Sequence, residues 1–163
     1  MNVVQKNWQW QGQLSRRNST PYCVIHHTAC PNMFQDTDEI MQEHLNVGDI
    51  GIAYNRVIKG DGVTVQGRPD WAVSAAAHGA NQISIDICVE GDFEAAESAE
   101  IPTPAAIQAL KDNIRDIYEM YPGIKFIGHY QVKDISGDPS DATACPGSTL
   151  IAMMPDIIAA ALA

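Results

Sequence analysis

Apolar and polar residues alternate without interruption over residues 83–90 (ISIDICVE). Successive side chains of a β-strand point to opposite faces, so the isoleucines and the valine would line one face and the polar residues the other. This segment is therefore predicted to be a strand of a sheet that carries an apolar core on one side. A Gly-Asp-Gly turn at residues 60–62 predicts a hairpin. Three β-branched runs predict further strands: residues 22–27, 52–59 and 124–127.

Helical patterns separate these strands. Asp36, with Glu39 three residues later, marks a helix start, and the helix is expected to run to about Leu45. Thr103 is expected to cap a second helix, with Pro104 in its first turn. Apolar residues recur behind that cap at helical spacing: Ile107, Leu110, Ile114, Ile117, Tyr118 and Tyr121.

The C-terminal part of the chain is expected to be helical as well. A short helical turn is predicted after Cys145, and Pro155 is predicted to begin a final helix that reaches about Leu162. These elements predict an α/β fold, a single domain with a mixed central β-sheet and helices on its faces. Residues 1–20 are expected to form an N-terminal arm, anchored by tryptophans, that packs on a domain of residues 21–163.

Charge and hydropathy exclude several classes of partner. The 163 residues carry a formal net charge of -10, which argues against nucleic acid and against electrostatic adherence to anionic membranes. No apolar run approaches the roughly 20 residues that a membrane span needs. The N-terminus lacks a secretory signal pattern, so a cytoplasmic protein, a protein released to the cell wall by another route, and a trimmed secreted domain all remain possible.

The four cysteines do not have the spacing of a disulfide framework. Cys23, Cys30 and Cys88 are expected to be free thiols, with a native disulfide as the alternative.

His26, His129 and Cys145 could together hold a metal ion. A catalytic zinc site typically takes three protein ligands from His, Cys and carboxylates, and it leaves the fourth position to water. His26 lies near the end of one predicted strand, and His129 follows another. Taken singly, a histidine at a strand end is more often structural, and a cysteine is often only a small core residue. The spacing alone leaves both interpretations open.

A series of short motifs in a particular order resembles the zinc-dependent N-acetylmuramoyl-L-alanine amidases, a family that includes phage lysozyme-type amidases and peptidoglycan recognition proteins. The resemblance covers about residues 22–150. Its motifs are residues 24–29 (VIHHTA), 53–55 (AYN), 60–62 (GDG), 67–68 (GR), 77–81 (AHGAN), 84–85 (SI) and 128–129 (GH).

The resemblance implies a zinc ion held by His26, His129 and Cys145. It also implies hydrolysis of the amide that joins the lactyl group of N-acetylmuramic acid to L-alanine, in peptidoglycan or its fragments. His27, next to the first ligand, would then have a packing or supporting role. His44, on the first predicted helix, is expected to be exposed and inert.

Further site residues follow from the same resemblance. Tyr54 would donate its hydroxyl to the oxyanion or orient the water, with a packing role in the sheet as the alternative. His78 matches a histidine that lines the substrate cleft, with a role unrelated to substrate as the alternative. Asn81 and Arg68 match further family positions and are also expected to bind substrate. For Asn81 and Arg68, turn-forming and surface roles are nearly as good an explanation.

Two positions depart from the family pattern. Thr143 stands where phage members have a lysine, although recognition proteins with amidase activity also tend to have threonine there. Its hydroxyl can donate a hydrogen bond but brings no positive charge. Cys88 stands where cytosolic relatives use a glutamate as general base, so that role is unassigned. The acidic residues of the loop before Cys145 are candidates, with solvated surface carboxylates as the alternative: Asp134, Asp138 and Asp141.

Two other functions remain open. A peptidoglycan receptor without activity could share the fold, although such relatives often lack the cysteine ligand. Cys145 could also act as a nucleophile with His129 as its base, without a metal. For an amidase, an endolysin, an autolysin domain and a recycling enzyme all fit the sequence.

Overall fold

The computed structural model describes residues 1–163 and contains one six-stranded sheet, which is mixed as the sequence predicts. In the order β1-β4-β3-β5-β2-β6, all neighbouring strands are parallel except β3 and β4, which form the predicted antiparallel hairpin. The strands are β1 (Val3–Val4), β2 (Tyr22–His27), β3 (Arg56–Ile58), β4 (Thr64–Gln66), β5 (Ser84–Val89) and β6 (Lys125–Gly128).

The strand predicted over residues 52–59 is shorter than expected. Ile52 N–H donates to Met41 Sδ at 2.9 Å, and Ala53 N–H donates to His44 Nδ1 at 2.9 Å. Because these two backbone groups bind side chains of the first helix, they do not pair with a neighbouring strand.

Four helices pack on the sheet: α1 (Thr37–Asn46), α2 (Pro104–Met120), α3 (Val132–Ser136) and α4 (Ser148–Leu162). The predicted caps of α1 and α2 are confirmed. Asp36 accepts the Asp38 N–H, and Thr103 Oγ1 accepts the Ala106 N–H at 3.0 Å.

The prediction that Pro155 begins the last helix is wrong. Pro155 lies inside α4, which already starts at Ser148. A buried stripe at helical spacing holds α4 against the core and outweighs the break that a proline favours: Leu150, Met154, Ile157 and Ala161.

The main core lies on the face of β5 that the alternating pattern predicts to be apolar. Ile85, Ile87 and Val89 pack there with α2 and α4, and each is at most 1% exposed. Burial of each such side chain stabilises the fold by roughly 2 kcal/mol. The opposite face of β5 carries Asp86 and Cys88, so the polar and ionisable side chains of this strand lie on that face.

The N-terminal segment is tied to the domain. It contributes the edge strand β1, and Trp8 Nε1 donates to the Gln66 carbonyl oxygen at 2.7 Å. Gln11 N–H donates to the Ile50 carbonyl oxygen at 2.8 Å. None of the helices combines the length and apolarity that a bilayer span requires.

Candidate active site

The register of two parallel strands brings the two candidate histidine ligands together. β2 and β6 are neighbours, and Ile25 lies opposite Gly128. His26 follows Ile25 within β2, and His129 comes directly after the end of β6, so both histidines lie at the same edge of the sheet. Their rings are 4.6 Å apart, centroid to centroid. Cys145 reaches this edge from the loop that precedes α4.

The donor atoms fit a zinc ion. One ligand atom each from His26, His129 and Cys145 lies within 4.8 Å of the others. His26 Nδ1 is 3.8 Å from Cys145 Sγ. A sulfur and a nitrogen bound tetrahedrally to one zinc ion lie about 3.6 Å apart. Two imidazoles and a thiolate are also a donor set that suits zinc. The structure thus brings together the three residues predicted as ligands.

Neighbouring groups shift the pKa values of the two candidate histidine ligands in opposite directions. Burial disfavours the charged form of His26, but Asp86 and Cys145 outweigh it and raise the pKa of His26 to about 9. Burial and the nearby His26 lower the pKa of His129 to about 4. The backbone N–H of His27 donates to Cys145 Sγ at 3.5 Å.

His27 has the packing role that was expected for it. Its imidazole is 7% exposed, and its Nδ1 accepts the Phe93 N–H at 3.1 Å. This bond holds the loop after β5 against the end of β2.

The candidate ligands lie at a cavity of about 310 Å³. Tyr54 and Thr143 line it, and the Tyr54 ring lies 5.4 Å from that of His26. Burial raises the pKa of Tyr54 well above 10, so its hydroxyl keeps a proton to donate. Thr143 Oγ1 accepts the Cys145 N–H at 3.2 Å, and this leaves the Thr143 hydroxyl proton for another acceptor.

His78 lines an adjacent cavity of about 330 Å³ that also includes His129 and Thr143. Its Nδ1 lies 2.6 Å from Asp141 Oδ1, and this contact raises the pKa of His78. Asp141 Oδ2 accepts the Ser136 hydroxyl at 2.5 Å. Asp141 is therefore committed to two partners and is a poor candidate for a general base.

Two of the predicted substrate contacts have structural partners instead. Arg68 is 6% exposed, and its guanidinium donates to the carbonyl oxygens of Ile52 and Val73 at 2.9 and 3.0 Å. Asn81 Oδ1 accepts the Ala77 N–H at 2.8 Å, which matches its turn-forming alternative. Neither side chain lines the two cavities, so their substrate contacts stay a prediction, and the contacts described here support the backbone.

The expectation that His44 is exposed and inert is wrong. The imidazole is half-buried, accepts the Ala53 N–H, and lies 5.4 Å from the Tyr54 ring. It thereby positions the segment that carries Tyr54. Residue type and helical position did not indicate this, because the contact joins α1 to a segment outside any regular strand.

Two acidic residues at the cavity were not identified from the sequence. Glu94 and Glu97 both line it. They lie a few residues beyond the carboxyl end of β5. Ligand-binding groups gather at the carboxyl ends of parallel strands, so this position in the sequence could have identified them. Glu94 accepts the Ser148 hydroxyl at 2.9 Å and links the cavity wall to the start of α4.

The cysteine prediction agrees with the structure: all four cysteines are free, and Cys23 and Cys88 are buried.

Comparison with known proteins identifies the family. Residues 16–148 match the family model described as N-acetylmuramoyl-L-alanine amidase. The chain belongs to this family. The amidase is 30% identical over 122 residues to the endolysin of Klebsiella phage KP32, a match that covers 74% of this chain and 81% of the endolysin. It is therefore an enzyme that hydrolyses the amide bond between N-acetylmuramic acid and L-alanine in peptidoglycan.

Solved structures agree with this assignment. The N-acetylmuramoyl-L-alanine amidase LysC from Clostridium intestinale URNW superposes on the amidase with a TM-score of 0.83 at 28% identity, covering 98% of this chain and 97% of LysC. A mutant of Drosophila PGRP-LB in complex with tracheal cytotoxin superposes with a TM-score of 0.77 at 26% identity, covering 93% of this chain and 92% of the other.

Proposed function

We propose that this amidase binds one zinc ion through His26, His129 and Cys145 and that the cavity around them is where the peptidoglycan amide is cut. The convergence of the three ligand atoms within 4.8 Å, beside a cavity of about 310 Å³, carries the proposal. When bound, zinc on such ligands lowers the pKa of water to about 7 and polarises a carbonyl as a Lewis acid.

Tyr54 and Thr143 are the proposed hydrogen-bond donors to the substrate. As the amide carbon becomes tetrahedral, negative charge develops on the carbonyl oxygen. Donors already aimed at that position stabilise the transition state more than the ground state. Tyr54 is preorganised because its ring packs against two histidines, His26 and His44. Thr143 is fixed by its bond from the Cys145 N–H.

His78 is the proposed contact to the stem peptide or the sugar. Its ring is exposed, with 84% of the side chain accessible, but Asp141 fixes its Nδ1 and so its orientation. Nδ1–H is donated to the Asp141 carboxylate, so Nε2 can accept a hydrogen bond from a substrate in the cavity shared with Thr143 when the ring is neutral, and can donate one when the ring is protonated. Peptidoglycan or a muropeptide is the proposed partner, and the tracheal cytotoxin complex of PGRP-LB supports this.

We place the activity in cell-wall lysis, because the match to the phage KP32 endolysin spans 81% of that protein. We also treat residues 1–20 as an arm that belongs to the catalytic unit, since β1 and Trp8 tie it to the sheet.

A paired measurement of metal content and product tests the proposal. Wild-type protein should hold about one zinc ion per chain and release stem peptides from purified sacculi, as measured by elemental analysis and mass spectrometry. Cys145→Ala and His129→Ala should lose both properties. Cys30→Ala is the matched control, because Cys30 is a free cysteine that lies outside the cavity.

Three outcomes would contradict this function. Full turnover by Cys145→Ala in the presence of a chelator would exclude the zinc site. Activity that resists chelation but is blocked by thiol alkylation would instead support a cysteine nucleophile. Muropeptide binding without any hydrolysis would support a receptor.

A further inference from the structure

A fully buried carboxylate lies behind the cavity. Asp86, in β5, is 0% exposed, and its strand pairs with β2 in a register that places Asp86 opposite Val24. Asp86 Oδ1 accepts the Ser84 hydroxyl at 2.8 Å, and the Asp86 N–H donates to Asn55 Oδ1 at 2.9 Å. The second carboxylate oxygen, Oδ2, has no hydrogen-bond partner.

The atom that faces this oxygen also lacks a partner. His26 Nε2 is buried without a hydrogen bond and lies 3.8 Å from Asp86 Oδ2. A buried polar atom without a partner destabilises the folded state, and native structures contain few of them. Two such atoms that face each other, with no room for a water molecule between them, indicate a hydrogen bond that forms when the ring moves by less than about 1 Å.

The other nitrogen of the same ring faces the proposed ion. His26 Nδ1 is the atom 3.8 Å from Cys145 Sγ. A neutral imidazole carries a single N–H, so metal binding through Nδ1 requires the hydrogen on Nε2. That buried N–H then needs an acceptor, and Asp86 Oδ2 is the acceptor in front of it.

We propose that Asp86 is a positioning residue for the zinc ligand His26. Its carboxylate accepts the Nε2–H, and this fixes both the tautomer and the ring angle that direct Nδ1 to the ion. Ligand histidines commonly donate their second N–H to a carboxylate in this way, and loss of that partner typically lowers metal affinity about 10–100-fold. The inference rests on the proposed zinc site. Asp86 does not line the cavity, so it acts only through the imidazole.

The test measures zinc affinity rather than turnover. Asp86→Asn keeps the size of the side chain but replaces the charged acceptor by a weaker, neutral one. We expect its zinc affinity, measured at fixed pH by competition with a chelating dye, to fall about 10–100-fold. The melting temperature of the metal-free variant is not the readout, because Asp86 also stabilises the charged form of His26 in the metal-free protein.

Glu90→Gln is the matched control. Glu90 is also 0% exposed, directly follows the same strand, and has no hydrogen-bond partner for its carboxylate, but it does not face a histidine. Its zinc affinity should equal that of the wild type. Ser84→Ala, which removes only the hydroxyl that holds Asp86 Oδ1, gives a second variant, with an expected loss of a few-fold.

The outcomes separate the two proposals. A wild type that binds zinc tightly and an Asp86→Asn variant that binds it equally well would overturn the role of Asp86 and leave the zinc site intact. An affinity loss matched by an equal loss in Glu90→Gln would also overturn it, because removal of any buried charge would then suffice. A wild type that binds no zinc would overturn the proposed function, and this inference with it. In the favourable case, nitrogen chemical shifts should report His26 as protonated on Nε2 in the zinc-loaded wild type.

Discussion

Glu90 should make the stability of this amidase fall as the pH rises. It follows β5, is 0% exposed, and both of its carboxylate oxygens lack a hydrogen-bond partner. Burial raises the pKa of Glu90 from 4.5 to about 8. Lys59 lowers this pKa, while nearby acidic groups raise it further: Asp61, Asp36 and Glu39. The folded protein therefore favours the protonated, neutral form.

The sign follows from the two states. The unfolded chain ionises Glu90 near pH 4.5, whereas the folded chain keeps it protonated up to about pH 8. The stability associated with Glu90 is thus fully present below about pH 4.5 and is lost as the pH rises to about 8. The full shift would correspond to about 5 kcal/mol at about 1.4 kcal/mol per pKa unit. Water that reaches the ionised carboxylate screens this effect, so we expect about 2 kcal/mol.

Glu90→Gln removes the titration and keeps the shape of the side chain. Denaturant unfolding of metal-free protein at several pH values should give nearly equal free energies for wild type and variant at pH 4.5. At pH 8 the variant should be about 2 kcal/mol more stable. Glu39→Gln, at an exposed position on α1, is the control and should follow the wild type more closely. If the difference between wild type and Glu90→Gln does not change between pH 4.5 and 8, the reasoning is refuted.

Three further predictions concern the site and its supports. Tyr54→Phe should lower kcat by about 100-fold while zinc content stays at the wild-type level, because only the donated hydrogen bond is lost; unchanged kcat would exclude that donor. Pro155→Ala should raise the unfolding free energy by about 1–3 kcal/mol, since Pro155 is exposed and lies inside α4; a lower melting temperature would contradict this. Gly147→Ala should destabilise the protein and weaken zinc binding, because Gly147 has φ 92° and an added Cβ would collide with the Phe93 backbone beside Cys145. Gly123→Ala, at φ 87° with open space around it, controls for strain alone, and an equal effect there would show that the collision is unimportant.

The sequence predicted features that depend on local patterns. The alternation around Ile85 and Ile87 was sufficient to predict the core face of β5, and Asp36 and Thr103 marked the helix starts correctly. The sequence also predicted that His26, His129 and Cys145 come together, because it resembles a family in which residues at these positions hold zinc. In these cases neighbouring residues carry the information.

Features that depend on distant contacts were not predicted. Pro155 reads as a helix start, but packing against the core keeps α4 continuous through it. His44 and Arg68 acquire their roles from backbone groups of the segment around Ile52 and Ala53, which no spacing rule connects to them. The proximity of Asp86 Oδ2 to His26 Nε2 depends on the pairing of β5 with β2. The sequence of either strand alone does not reveal this strand order.

The separation of the proposed ligands along the chain has a mechanical consequence. His26 and Cys145 are 119 residues apart, and no disulfide joins any part of this protein. An ion bound by both residues would cross-link the two ends of a long loop. Such a cross-link lowers the conformational entropy of the unfolded chain, much as a disulfide does. We therefore expect the resistance of the amidase to proteolysis to increase with the concentration of zinc around it.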